Sequence, residues 1–319
     1  SMIDGELTHR VSPENYSSIA DEWTVQEDGS FVSPDRNYDK QQILLFEHVI
    51  NNGSISANIT IMKSDQNDNK TPEASIVFRY QDPKKYYYGG LGLYGAKFGL
   101  AKAISIWPDY MRLSIAGVGK SIAVAGRSYR IRVEFRGSRM VLLENDIQHA
   151  IALDEDYRIG QWGITAYNCQ AMFANVTYSR AEPIAFIVMP FASELDYVHG
   201  TLARCLRKFG IRPTRGDDMF FARPIVDDLK EQIANADLIL VDFTGRNPNV
   251  YYEAGLADAW KKNWIILAQS ADDLSFDVRH IRTIYYSNVM GADVKLASDL
   301  DRALEALGYR ALPTPPPGC

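Results

Sequence analysis

The run NPNVYYEAGLADAW at residues 247–260 places Glu253 in the middle of a largely apolar stretch. The preceding DLILVDFTGR reads as a buried strand ending in a loop, so Glu253 falls about one turn into a helix that begins at a strand's carboxyl end. In open α/β sheets, ligands bind at that end. Further carboxylates recur at equivalent places: Asp217 and Asp218 after a second strand, and Asp242 after a third. Asp228 lies inside the helix between them, at the edge of the stripe Ile225, Leu229 and Ile233. A rim of carboxylates does not suit polyphosphate, because a Gly-rich loop carrying Lys is absent. It suits cleavage of an N-glycosidic bond, where the sugar carbon gains oxocarbenium character. One carboxylate attacks or shields that carbon while another handles the departing base. Glu253 is close enough to its helix start for the dipole to favour the ionised, nucleophilic form. A plainer reading stands beside this one. Acidic residues are common in first helical turns for capping alone, and Asp217, Asp218 and Asp242 taken singly read as turn residues.

These residues need elements to hold them, and the chain changes character near residue 182. From about 20 to 180 it offers short alternating segments such as SISANITIMK, EASIVFRYQD and QWGITAYNCQ, rich in Val, Ile, Tyr and Phe. RIRVEFRGSRMVLLEND predicts a hairpin across Gly137-Ser138. No convincing helix interrupts this region, which favours an antiparallel β-sandwich. After residues 181–183 the pattern becomes strand, helix, strand, helix. IAFIVMPF predicts a buried strand, and Leu195, Val198, Leu202, Cys205, Leu206 and Phe209 form one helical stripe stopped at Gly210. IRPTRGDD, ARPIVDDLKEQIANA, DLILVDF, the Glu253 helix, WIILAQ, FDVRHIRTIYYS and LASDLDRALEALG continue the alternation, and LPTPPPGC reads as a disordered or extended tail. The expected domains are 1–181, a sandwich, and 182–311, an α/β domain with a flavodoxin-like parallel sheet, followed by the tail 312–319.

Composition bounds the partners. A hydrophobic fraction of 46%, a charged fraction of 23% and a formal net charge of -6 describe a soluble globular protein and argue against nucleic-acid or membrane-surface binding. No apolar run approaches the roughly 18 residues of a bilayer span. Cys169, Cys205 and Cys319 are widely spaced and suggest neither a disulfide framework nor a zinc site, so a cytoplasmic protein without a bound metal is expected. The sequons at Asn15, Asn58 and Asn175 then carry no meaning. GLGLYG at 90–95 satisfies the dinucleotide-binding pattern, yet it lies among strands and reads as glycines that bend a β-hairpin. DQNDNK at 65–70 lacks the spacing of a calcium loop and reads as solvated.

The segments FIVMPF, TRGDD, IVDDLKEQIANADLILVDFTGRNPNVYYEAGLADAWKK and FDVRHIRTIYY, within about residues 184–287, resemble the nucleoside 2-deoxyribosyltransferase-like family, which is close to bacterial TIR-like proteins. The resemblance implies that Glu253 is the nucleophile and that Asp228 assists the base. It also implies that the Met189-Pro190-Phe191 loop and Asp217-Asp218 border the pocket. Where the transferases usually carry another carboxylate near the sugar hydroxyl, this chain has Asn247, with Asn249 beside it; an amide still hydrogen-bonds a hydroxyl. In the TIR relatives a helical glutamate cleaves nicotinamide from NAD, and the resemblance further implies a homo-oligomer. GSISANITI, EASIVFRYQDPKKYYYGGLG, YRIRVEFRGSRMVLLEND and GQWGITAYNCQAMFANVTY resemble concanavalin-A-like or laminin-G-like jelly rolls related to 3-keto-disaccharide hydrolases. There Tyr86, Tyr87, Tyr88, Trp107 and Arg79 are candidates for an aromatic sugar platform, against the plainer reading of strand aromatics packing on the sandwich.

The expected function is thus an N-glycosidic-bond hydrolase or transferase acting on a nucleoside, a nucleotide or NAD. No cofactor is expected, and NAD enters only as substrate. By resemblance the sandwich would regulate this activity, as in fused bacterial defence effectors. Two other readings stand: a nucleotide-binding sensor or assembly module without catalysis, motivated by Asn247, and a carbohydrate-binding protein working through the sandwich.

Overall fold

The computed structural model describes residues 9–10, 16–18, 23–35, 41–64, 71–104, 110–118, 123–215, 225–287, 289 and 291–311. The chain divides into two compact units, Ser1–Ala181 and Glu182–Cys319.

The first unit is a pair of antiparallel sheets. One runs in the order Ile147–Leu153, Arg139–Glu144, Ser128–Arg136, Gly53–Ser64, Cys169–Arg180, Phe31–Val32, Thr24–Val25, with His9–Arg10 also pairing Cys169–Arg180. The other runs Tyr110–Val118, Ala96–Ala103, Lys85–Leu91, Glu73–Asp82, Gly160–Tyr167, Gln42–Ile50, Tyr16–Ser18. Alternation explains the layering. Ile55, Ala57, Ile59 and Ile61 of one strand and Ile131, Val133 and Phe135 of its neighbour point inward, registered as Ile131 opposite Ala57 and Val133 opposite Ile55. Leu44, Phe46, Ile76, Phe78, Trp162 and Ile164 face them from the second sheet in the same core. The Gly137-Ser138 hairpin is present, with Gly137 at φ +54° between Arg136 and Arg139. So is the hairpin at GLGLYG, which joins Lys85–Leu91 to Ala96–Ala103.

In the second unit the five described strands are all parallel, in the order Arg212–Arg215, Ile184–Val188, Leu238–Asp242, Trp264–Ala268, Thr283–Tyr285. Helices α1 (Asp196–Lys208) and α4 (Ala292–Ala306) cover one face, where Val198, Leu202, Leu206, Leu296, Leu300 and Leu304 pack on Ala185, Ile187 and Leu240. Helices α2 (Ile225–Asn235) and α3 (Pro248–Ala259) cover the other, packing Leu229, Ile233, Val250, Ala254 and Ala257 on Phe186, Ile239 and Val241. From Ile184–Val188 the chain moves to one side, then returns past it to Leu238–Asp242. The order therefore reverses between these two strands, and their carboxyl ends flank a crevice. No described helix is long and apolar enough to cross a membrane.

Candidate active site

The crevice is framed by the segments that follow the strands. Helix α3 starts beside it for local reasons. Asn247 is its N-cap, in extended conformation, and its side-chain oxygen accepts the Asn249 N–H at 2.9 Å. Pro248 fills the first helical position, where its missing N–H costs nothing. Val250, Ala254 and Ala257 then turn one face into the core. Glu253 is the sixth helical residue, half-buried at the edge of that face, with no hydrogen bond or ion pair to a described side chain. Burial pushes its carboxyl up to about 7. The helix-dipole expectation is corrected here. Dipole stabilisation fades beyond the first turn, and loss of water outweighs it.

Asp242 ends the third strand and is 1% exposed. One oxygen accepts the Thr244 N–H at 3.0 Å and the Thr244 hydroxyl at 2.6 Å; the other accepts the Tyr286 hydroxyl at 2.6 Å. Burial raises its pKa, and the bonds from Thr244 and Tyr286 oppose that. Thr244 Oγ1 also lies 3.0 Å from Tyr286 Oη and accepts the Gln269 N–H at 3.2 Å. Asp242 is therefore the hub of a clasp joining the ends of three strands, with both oxygens engaged. The loops beyond are laced together. Asp273 Oδ1 accepts the Gly245 N–H at 3.0 Å, Arg246 Nε donates to Asp272 O at 2.6 Å, and the Tyr251 hydroxyl donates to Asp273 O at 2.7 Å.

The other expected residues fall in varied places. Asp228 lies in the first turn of α2, beside α3 on the same face of the sheet and at the same end as Glu253. Asp217 and Asp218 lie outside the described residues. Met189 points into the core beneath α1 rather than to the crevice. Pro190 is half-buried, and Phe191 is 63% exposed, with the Arg215 guanidinium 4.6 Å from its ring centre. Asn249 is exposed. No local sequence pattern marks Tyr286 or Arg215 as members of this end of the sheet. Asp-Phe-Thr after an apolar strand was the one available signal, for the aspartate's turn with Thr244.

The sugar platform is not supported. Tyr86, Tyr87, Tyr88 and Arg79 are each at most 2% exposed. Arg79 spends its guanidinium on Asn51 O, Tyr157 O, Gly137 O and Asn52 Oδ1, and Tyr87 donates to Asp154. Trp107 and the loop 65–70 lie outside the described residues. Among the described residues no group of three or more His, Cys, Asp or Glu is placed to hold a metal, and Cys169 and Cys205 are free thiols.

No family model and no curated protein matches the chain. Solved structures are similar to parts of it. A carbohydrate-binding module from Bacillus subtilis is 17% identical, with a TM-score of 0.44, over 52% of this chain and 95% of that one. A β-glucanase from Bacillus licheniformis is 9% identical, with a TM-score of 0.39, over 56% and 98%. A 2-desoxiribosyltransferase from Leishmania mexicana is 14% identical, with a TM-score of 0.29, over 36% and 97%. Two further solved structures similar over about half of this chain are titled putative glycosyl hydrolases from Parabacteroides distasonis. A chain of two units, a β-sandwich and a parallel α/β unit, is what fold and site define.

Proposed function

We propose that the second unit cleaves an N-glycosidic bond in a nucleoside, a nucleotide or NAD, with Glu253 meeting the anomeric carbon and Asp228 assisting the departing base. One observation carries this reading. Glu253 is a half-buried carboxyl without a partner among the described residues, at the carboxyl end of a parallel sheet, and burial raises its pKa to about 7. Such a group is poorly stabilised as an anion until a positive centre arrives. A nicotinamide cation, or the oxocarbenium character that develops as any N-glycoside breaks, supplies that centre. Asn247 and the Asp242 clasp hold the start of α3 in place and need not touch substrate. The test is to incubate full-length protein and Glu253→Ala with NAD and a panel of ribo- and deoxyribonucleosides and their monophosphates, scoring released base by chromatography. Release by the wild type alone supports the reading. Absence of release from every compound overturns it, and thermal stabilisation by a nucleotide without product would replace it with a sensor.

A further inference from the structure

The layer carrying α1 and α4 contains a cavity of about 440 Å³ that has no part in the reading of Glu253, which lies across the sheet on α3. It sits where the edge strand Thr283–Tyr285 ends and α4 begins, and Tyr285, Tyr286, Val289, Ala292 and Leu296 line it. The volume is that of a small-molecule site. Two of the walls are tyrosines, whose ring faces carry the negative part of the aromatic quadrupole. The Tyr286 hydroxyl donates to buried Asp242 at 2.6 Å, which fixes that side chain and pushes electron density into its ring. The rim is braced by the Tyr197 hydroxyl, which donates to Ser287 O at 3.1 Å.

The charge around the cavity is negative. Helix α4 carries Asp293, Asp299, Asp301 and Glu305 against Lys295 and Arg302. Lys295 lines the cavity, but its ammonium donates to Asp299 at 2.8 Å, one turn further along the helix, so it presents its stem rather than its charge. Arg302 binds the same carboxylate, and Lys208 of α1 takes Asp301. Asp293, next to Ala292 of the wall, has no hydrogen bond or ion pair among the described residues, and its charge is felt at Tyr197. We propose that this cavity binds a small organic cation of the quaternary ammonium class. Its methyl groups lie against the two tyrosine rings and Leu296, and Asp293 balances its charge. Apolar walls alone would suit a neutral body, and the carboxylate alone would suit any cation. Together they select a weakly hydrated cation with an apolar surface.

Isothermal calorimetry of the full chain with choline at constant ionic strength tests this, with 3,3-dimethylbutan-1-ol as the uncharged control of the same shape. The expected result is saturable one-site binding of choline, with the alcohol about fivefold weaker or more. Asp293→Asn should weaken choline about threefold to fivefold, the worth of an exposed ion pair, and leave the alcohol unchanged. Tyr285→Leu keeps an apolar wall without the ring and should weaken choline alone by a similar factor. Ala292→Phe, which fills the cavity, should abolish binding of both. Tyr285 is exposed and Asp293 half-buried, so their variants keep the comparison valid even where Ala292→Phe fails to fold. No saturable heat, or binding unchanged in a folded Ala292→Phe variant, overturns the site. Equal affinity for choline and the alcohol, or choline binding indifferent to Asp293→Asn, overturns the cation. No turnover is measured, so the result stands apart from the reading of Glu253.

Discussion

Replacing Glu253 with Gln keeps the side chain's size and removes its titration, which isolates the cost of burying this carboxyl. Its pKa is raised from an ordinary value near 4.5 to about 7. Between those values the folded state holds a proton that the unfolded state has released. Stability of the wild type therefore falls as pH rises through that window and levels off above it. The glutamine variant lacks this term, so its advantage over the wild type grows across the same window. The whole shift sets a ceiling of about 3 kcal/mol, and partial solvent access reduces the expected effect to about 1–2 kcal/mol. The assay follows from the architecture. Every described α-helix lies in the second unit, so the helical circular dichroism signal during urea unfolding follows that unit. Both proteins would be measured at about pH 5 and about pH 7.5, bracketing most of the window. A difference between them that stays constant with pH would refute the reasoning, because it would mean that Glu253 is solvated in the folded state.

Other consequences are equally direct. Tyr286→Phe removes one of three hydrogen bonds from buried Asp242 and should cost about 1–3 kcal/mol in the same urea experiment; an unchanged midpoint would show that water replaces the hydroxyl. Asn247→Ala should lose about 1 kcal/mol with the N-cap, whereas Asn247→Asp, which still accepts the Asn249 N–H, should lose a few tenths at most; equal losses would deny the capping role. In the sandwich, Asp154 accepts from both Tyr87 and buried Lys102, so Asp154→Ala should lower stability by about 2–4 kcal/mol, with Asp156 left to hold the ammonium. Calorimetric unfolding of the sandwich would read that loss, and a change below about 0.5 kcal/mol would count the network as dispensable.

The sandwich was legible where one face of a strand is apolar, as at Ile55, Ala57, Ile59 and Ile61, because period-two alternation follows directly from the pleat. GLGLYG shows a turn sequence correctly outvoting a cofactor pattern, since glycine-rich steps between strands serve reversal of the chain. Tyr86 and Tyr88 show the limit. They alternate with Tyr87, which packs inside the sandwich, yet all three are buried, because the outer face of that sheet carries its own cluster with Leu45, Val77 and Leu93. Alternation says which residues share a face and nothing about whether that face is covered. At the crevice, α3 and Glu253 were readable from the largely apolar run 247–260 that follows a buried strand. The role of Asp242 was not, because its decisive partner, Tyr286, arrives from a strand 44 positions away and no local pattern encodes that meeting.

The lacing of the two crevice loops limits how this unit can be altered. Asp273 holds the Gly245 N–H through its side chain and the Tyr251 hydroxyl through its carbonyl, and Tyr251 in turn accepts the Ser275 N–H. A residue inserted between 270 and 275 would thus be felt at the first turn of α3, two residues from Glu253, rather than absorbed at the surface. Loop grafting aimed at a new substrate would have to exchange 243–251 and 270–279 as a single cassette. Swapping either half alone should misplace the other.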